Sequence, residues 1–375
     1  MQFEDAAIRI ERATDYALLF GAASDTTADK IRHTYREFAR TVHPDTHQGK
    51  DTYARSQEVF AKLTHFYGQA IEMTTQGKYG QPTELVVWHT RRATHTVTDA
   101  IGKGDLCGLY TARTQLADGS NQATFCKVAQ LPSDNDLLET EGSVLRRLRG
   151  TDSDVKLHPF YPELSDSFTH SETGMSVRRV NVLSQLEGFS NLAQVRELFP
   201  TGLDPLHMAW IWRRVLWALD HAHQHRIIHG AVVPEHIMIL PEQHGVVLVD
   251  WCYASQANDT QESPPVRAIV SAYKDWYPEE VFDKSTPSPA TDIAMAARCM
   301  TQLMGGDPLT GNHPTSSHVP GPVRAFFKGC LGRSQASRPQ DALQLLDEFD
   351  QLLQRLGQPY YPRRFRPFSL PTGSM

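Results

Sequence analysis

Ile227-Ile228-His229-Gly230-Ala231-Val232-Val233-Pro234-Glu235-His236-Ile237 is the stretch from which the rest of this chain is read. Ala231 and Val233 stand at its centre. Neither side chain can accept a proton or contact a phosphate. Just before it, Met208, Trp212, Val215, Leu216, Leu219 and Ala222 recur at helical spacing and mark a buried helix. His221, His223 and His225 close that helix. Together with His229 they lie close in sequence because a helix ends there, so structural or exposed histidines are expected rather than a metal cluster.

Length and composition bound the answer. With 375 residues the chain is long enough for two or three domains, each with its own core. The net charge of −6 gives no electrostatic case for a nucleic-acid partner. No run of 18 apolar residues exists, and the N-terminus has no basic-then-apolar segment. The expectation is therefore a cytoplasmic protein with no membrane partner. Cys107, Cys126, Cys252, Cys299 and Cys330 are scattered and none falls in a C-x-x-C pair, so neither a zinc site nor a disulfide framework is indicated.

The pattern changes along the chain. Ile31, Tyr35, Phe38, Ala39 and Val42 recur at helical spacing, as do Phe60, Leu63, Phe66, Tyr67 and Ala70. A linker over 73–85, with Gly77, Gly80 and Pro82, closes this helical region. From Val86 to Asp136 the sequence is strand-like, and a helix is predicted over Asp136 to Leu148. Val155 to Leu186 reads as further strands. From Pro205 the chain is largely helical, with later helices over Ile293–Met304 and Ala342–Leu356. The tail, 357–375, is rich in Pro, Arg and aromatics without periodicity. It is expected to be disordered or draped on the surface; its Arg363, Arg364 and Arg366 could contact a partner, but a solvated tail is the expectation. The fold class is α+β and multidomain: a small all-α domain, then a strand-rich lobe, then a helical lobe.

Residues 86–356 resemble a protein-kinase-like domain, with a small lobe over 86–186 and a large lobe over 190–356. Besides the opening stretch, seven short matches fall in family order. The opening stretch resembles the catalytic loop H-R-D-x-K-x-x-N. His229 keeps the family His, Gly230 replaces the Arg, Ala231 the base Asp, Val233 the Lys, and His236 the metal-binding Asn. Gly102 and Gly104 resemble the glycine-rich loop, with Cys107 at the third glycine. The resemblance makes Lys127 of Phe125-Cys126-Lys127-Val128 the nucleotide-binding Lys and Glu141 its helix partner. It makes Asp250 of Val249-Asp250-Trp251-Cys252 the metal-binding carboxylate. Tyr277-Pro278-Glu279 resembles the A-P-E element, Asp292 the helix Asp that holds the catalytic loop, and Arg338 of Ser337-Arg338-Pro339 the late Arg that pairs with Glu279.

The nucleotide-gripping set, Gly102, Gly104, Lys127, Glu141 and Asp250, is retained, and the transferring set is lost. An absent base at Ala231 costs about a hundredfold or more in rate. His236 offers an imidazole where magnesium prefers oxygen. The resemblance implies a pseudokinase that holds ATP or ADP with at most one magnesium at Asp250.

Residues 12–72 resemble the J domain of DnaJ-type co-chaperones. His43-Pro44-Asp45 lies between the two striped segments, after a face bearing Arg32, Arg36 and Arg40. In that family these residues engage a DnaK-type chaperone and stimulate its ATPase. Combined, the resemblances predict a co-chaperone adaptor that recruits a DnaK-type partner and uses the kinase-like domain as a nucleotide-sensing or protein-binding platform for a client of unknown identity. Two alternatives stay open: an active atypical kinase or other phosphoryl or nucleotidyl transferase, and a structural scaffold.

Overall fold

The computed structural model describes residues 2–13, 16–21, 26–75, 79, 86–150, 152–171, 176–258, 262–315 and 317–370. The chain separates into two units, Met1–Val86 and Val87–Met375.

The first unit is helical: α1 (Phe3–Arg12), α2 (Ala17–Phe20), α3 (Ala28–Val42), α4 (Pro44–His47) and α5 (Tyr53–Thr75). Thr27 caps α3 by accepting a hydrogen bond from the Lys30 amide at 3.3 Å. Ile31, Phe38 and Val42 of α3 are buried with Val59, Leu63, Phe66 and Ala70 of α5, which is the packing the two stripes predict. Arg32, Arg36 and Arg40 lie on α3, and all three are exposed.

Three features of this unit differ from the sequence reading. First, α1 belongs to it: Ala6, Ala7 and Ile10 join the same core, and Arg55 bonds Glu4 and Glu11 at 2.7 Å each. Second, α5 continues to Thr75, so the predicted linker opens inside a helix; the rest of 73–85, apart from Tyr79, lies outside the described residues. Third, Pro44 and Asp45 sit in a helical turn rather than an irregular loop. Proline fits there because a first-turn residue needs no amide donor. The side chains of His43 and Asp45 still reach solvent, at 41% and 86% exposure. The His43 ring rests edge-on against Phe60 at 4.6 Å.

The second unit opens with an antiparallel sheet. β1 (Val87–His89), β2 (Ala93–Lys103), β3 (Cys107–Leu116), β4 (Asn121–Ala129), β5 (Leu164–His170) and β6 (Arg178–Ser184) are ordered β1-β2-β3-β4-β6-β5. α6 (Asn135–Arg149) lies against β5 and β6 and buries Leu137, Leu138, Val144, Leu145 and Leu148. Residues Asp152–Phe160 form 3₁₀ turns, not the strand expected from Val155 onward. Pro159 has no amide for a ladder, and the segment lacks strand-like alternation.

The remainder is α7 (Leu192–Leu198) after β7 (Ser190–Asn191), then α8 (Pro205–Gln224), β8 (Ile227–Ile228), β9 (Ile237–Leu240), β10 (Gly245–Leu248) and β11 (Ser255–Gln256). α9 (Glu279–Phe282), α10 (Pro289–Leu303), α11 (Gly321–Gly329) and α12 (Ala342–Leu356) complete it. α8 is buried along most of its length, and Trp212 meets Phe327 of α11 with ring centroids 5.1 Å apart. The short pairs β9–β10 and β8–β11 flank the opening stretch and fix its two ends.

The described part of the tail, 357–370, is draped on the surface, mostly exposed, with a few side chains anchored. Tyr360, Phe368 and Leu370 pack against the main core, the Arg366 carbonyl accepts a hydrogen bond from His244 at 3.0 Å, and Arg363 pairs with Asp350. Tyr360 and Phe368 cover part of their apolar surface there, while Tyr361 and Phe365 stay exposed. Among the described residues, no helix is long and apolar enough to cross a membrane.

Candidate functional site

Lys127 enters from β4, Glu141 from α6 and Asp250 from the turn after β10. The Lys127 ammonium donates to Glu141 Oε1 at 2.8 Å, to Asp250 Oδ1 at 2.8 Å and to Cys252 Sγ at 3.2 Å. The structure therefore brings to Lys127 two acids that the sequence places 14 and 123 positions away. Glu141 is fixed from its other side, where Asn181 of β6 donates to Oε2 at 2.9 Å and to the Leu138 carbonyl at 2.8 Å. Asp250 has φ 64° and ψ 57°, the left-handed region that few residues other than glycine, Asn and Asp adopt.

Burial is the largest single influence on each group; at Lys127 and Asp250 the neighbours together outweigh it. Burial by itself favours neutral lysine, but Asp250, Cys252 and Glu141 hold Lys127 well above its usual pKa. Burial likewise favours a protonated Asp250, but Lys127 and His236 hold that carboxyl well below its usual range. Burial pushes the Cys252 thiol well up, assisted by a hydrogen bond with Cys107.

The opening loop is held by its backbone. Asp292 of α10, fully buried, accepts from the amides of His229 at 2.8 Å and Gly230 at 2.9 Å, and from His223 Nε2 at 2.9 Å. His229 donates through Nε2 to the Val249 carbonyl at 3.0 Å and accepts at Nδ1 from the Ala231 amide at 3.3 Å. Burial pulls its pKa down to about 4, in keeping with that neutral tautomer. Gly230 has φ +74°, and a Cβ there would lie 2.7 Å from the Tyr253 carbonyl oxygen. Glycine is thus required at this position, for a reason the sequence did not disclose.

Ala231, Val232 and Val233 are fully buried in the main hydrophobic core. His236 points Nδ1 at the Ala231 carbonyl, 2.8 Å away, and Nε2 at Asp250 Oδ2, 3.3 Å away. The loop's acid, Glu235, is exposed and accepts the Tyr273 hydroxyl at 2.7 Å. Gly102 lies near the end of β2 and Gly104 just beyond it. A Cβ on Gly102 would meet nothing within 4 Å, and one on Gly104 only the Cys107 carbonyl at 3.8 Å. Protein packing does not demand either glycine.

One predicted pair is corrected. Arg338 bonds Glu280, not Glu279, at 2.5 Å, and Glu280 also accepts from Thr291 at 2.9 Å. Glu279 is exposed and pairs with Arg333 at 2.9 Å. Both acids open α9, where neighbouring positions point about 100° apart. That turn sends Glu280 inward beside Val281 and Glu279 outward.

Sequence reading also missed Asn181, Cys107 as a partner of Cys252, and Asp105. Asp105 Oδ2, at the glycine turn, accepts the Ser271 amide at 2.9 Å, and Arg267 pairs with Asp136 of α6. The segment after β11 is thereby tied to the turn, to α6 and, through Tyr273, to the loop. A lone Asp or Asn without a motif gives no signal of such long-range contacts.

No family model matches the chain. Among curated proteins it is similar to "Serine/threonine-protein kinase PknF" of Mycobacterium tuberculosis, 24% identical over 189 residues, 46% of this chain and 40% of that protein. It is also similar to "Death-associated protein kinase dapk-1" of Caenorhabditis elegans, 26% identical over 177 residues, 47% of this chain and 11% of that protein. The chain thus spans less than half the length of these relatives. The similarity is weak, covers about half of the chain, and supports a kinase-like domain built of helices and an antiparallel sheet.

Kinase relatives make ATP with magnesium the ligand pair to test against the site. Magnesium demands near-octahedral oxygen coordination at about 2.0–2.1 Å. Here both Asp250 oxygens already face Lys127 and His236, both Glu141 oxygens are taken, and His236 offers no oxygen. These residues do not fit a magnesium ion as they stand.

Proposed function

We propose that this chain is a co-chaperone-like adaptor whose kinase-like domain binds a protein or senses a nucleotide without transferring phosphate. One observation carries the reading. The position that resembles the catalytic base is Ala231, fully buried beside Val232, its backbone amide bonded to His229. Phosphoryl transfer relies on positioning and charge neutralisation, with a base to orient the acceptor hydroxyl. At Ala231 nothing can accept that proton, and at Val233 nothing cationic can meet a phosphate.

The first unit supplies the other half of the proposal. A solvent-facing His43-Pro44-Asp45 follows a helix bearing Arg32, Arg36 and Arg40, the arrangement that resembles a J domain. The proposed partner is a DnaK-type ATPase, and the site of action proposed is the cytoplasm. Single-turnover ATP hydrolysis by such a chaperone should rise on adding the full chain and stay at its basal rate with His43→Gln. Equal rates for both proteins would remove the co-chaperone role.

An active atypical serine/threonine kinase is the second reading. It is favoured by the similarity to proteins named as kinases. Glu235 is the one acid in the loop, and its bond to Tyr273 would have to open for it to act on an acceptor.

A further inference from the structure

We infer that the Lys127 ammonium occupies the place of a divalent cation, so that this cluster takes no metal and any nucleotide entering the cleft binds independently of magnesium. The inference deepens, and rests on, the non-transferring reading of the site.

Carboxylate oxygens of Glu141 and Asp250 and the sulfur of Cys252 lie within 4.8 Å of one another, a spacing that could hold an ion. All three residues contact one atom, Lys127 Nζ, at 2.8, 2.8 and 3.2 Å. The centre of the potential metal site is therefore filled by an ammonium. Lys127 is nearly fully buried and Glu141 fully so, and an unpaired charge there would be costly. Lysine offsets one of the two negative charges and donates a hydrogen bond to each acid. A divalent ion would have to expel the ammonium from the two acids it bonds, leaving that charge without them.

The remaining Asp250 oxygen faces His236 Nε2 at 3.3 Å, and the His236 ring is fixed by the Ala231 carbonyl at 2.8 Å. The ring is also stacked against Tyr253, with centroids 5.8 Å apart. His236 thus occupies one side of the second carboxylate oxygen, although the Asp250 side chain keeps 28% of its surface exposed. Without a metal, each added phosphate of a ligand faces Glu141 and Asp250 with only Lys127 to offset it. The ligand class this favours is a nucleoside carrying few phosphates, a diphosphate before a triphosphate.

Manganese, a paramagnetic stand-in for magnesium, tests this with the full chain. Free Mn²⁺ is titrated by electron paramagnetic resonance against the wild type, Asp250→Asn and Lys127→Ala, each with and without ADP. The expected result is the same Mn²⁺ uptake by wild type and Asp250→Asn, and one further equivalent bound by Lys127→Ala, whose three ligand atoms have lost their ammonium. Should Asp250→Asn fail to fold, the comparison of wild type with Lys127→Ala decides in the same way. Uptake by the wild type of one equivalent more than Asp250→Asn, or as much as Lys127→Ala, would overturn the inference. The readout needs no phosphate transfer. A wild type that binds Mn²⁺ yet transfers nothing defeats this inference and leaves the proposed function standing.

Discussion

At the scale of single residues, the buried pair beside α9 shows what a sequence can and cannot specify. Arg338 was legible as half of an ion pair, but the choice between adjacent acids depends on a helix phase that no motif prints. Removing one partner of a buried pair strands the other charge, at a cost of about 3–5 kcal/mol. Arg338→Ala should lose stability of that order in urea unfolding, because Glu280 and Arg338 are both buried. Glu279→Ala should change it by no more than about 0.5 kcal/mol, since its partner Arg333 is 90% exposed. The reverse ranking would restore the Glu279 pairing.

His229 gives a second residue-scale expectation. Its folded pKa of about 4 lies below the unfolded value of about 6.5, so the unfolded chain binds the proton first as pH falls. The stability contribution is complete above the unfolded value and is lost as pH drops toward the folded one. At pH 5 the loss from this ring is about 2 kcal/mol. His207, His244 and His313, also lowered by burial, act in the same direction, and Asp220, raised by burial, opposes them. Unfolding free energies that are equal at pH 7 and pH 5 would contradict this.

At the scale of elements, legibility followed periodicity. α8, α10, α12 and the strands from Val87 to Ala129 carry regular apolar spacing, and they form where that spacing puts them. Asp152–Phe160 and the tail carry none, and both are held by contacts with distant segments. α1 has a clear apolar face, but no motif pointed to it, and its burial against α5 became visible only in three dimensions. The opening loop was legible in its residue types and incompletely in its geometry. Gly230 looks like a missing arginine, yet its positive φ and the 2.7 Å approach to the Tyr253 carbonyl make it a structural requirement. Gly230→Ala should cost about 1–3 kcal/mol through strain and collision. A melting temperature equal to that of the wild type would show that the loop relaxes around a Cβ.

At the scale of the whole molecule, two units with separate cores carry two separate chemistries. The first exposes a tripeptide and a basic face. The second assembles Lys127, Glu141 and Asp250 from three elements and surrounds them with Asn181, Cys252 and His236. The grouping of Lys127, Glu141 and Asp250 was legible because each sits in a short motif with fixed neighbours. The self-satisfied state of the cluster was not, because it depends on Asn181, Cys252 and His236 meeting across the fold. The most direct measurement is incubation of the full chain with γ-labelled ATP, with magnesium or manganese, alone and with a generic serine/threonine acceptor. The account predicts no incorporation above that of Asp250→Ala. Label transferred by the wild type and abolished by Asp250→Ala would show that the loop around Ala231 still catalyses, and the non-transferring reading would fall.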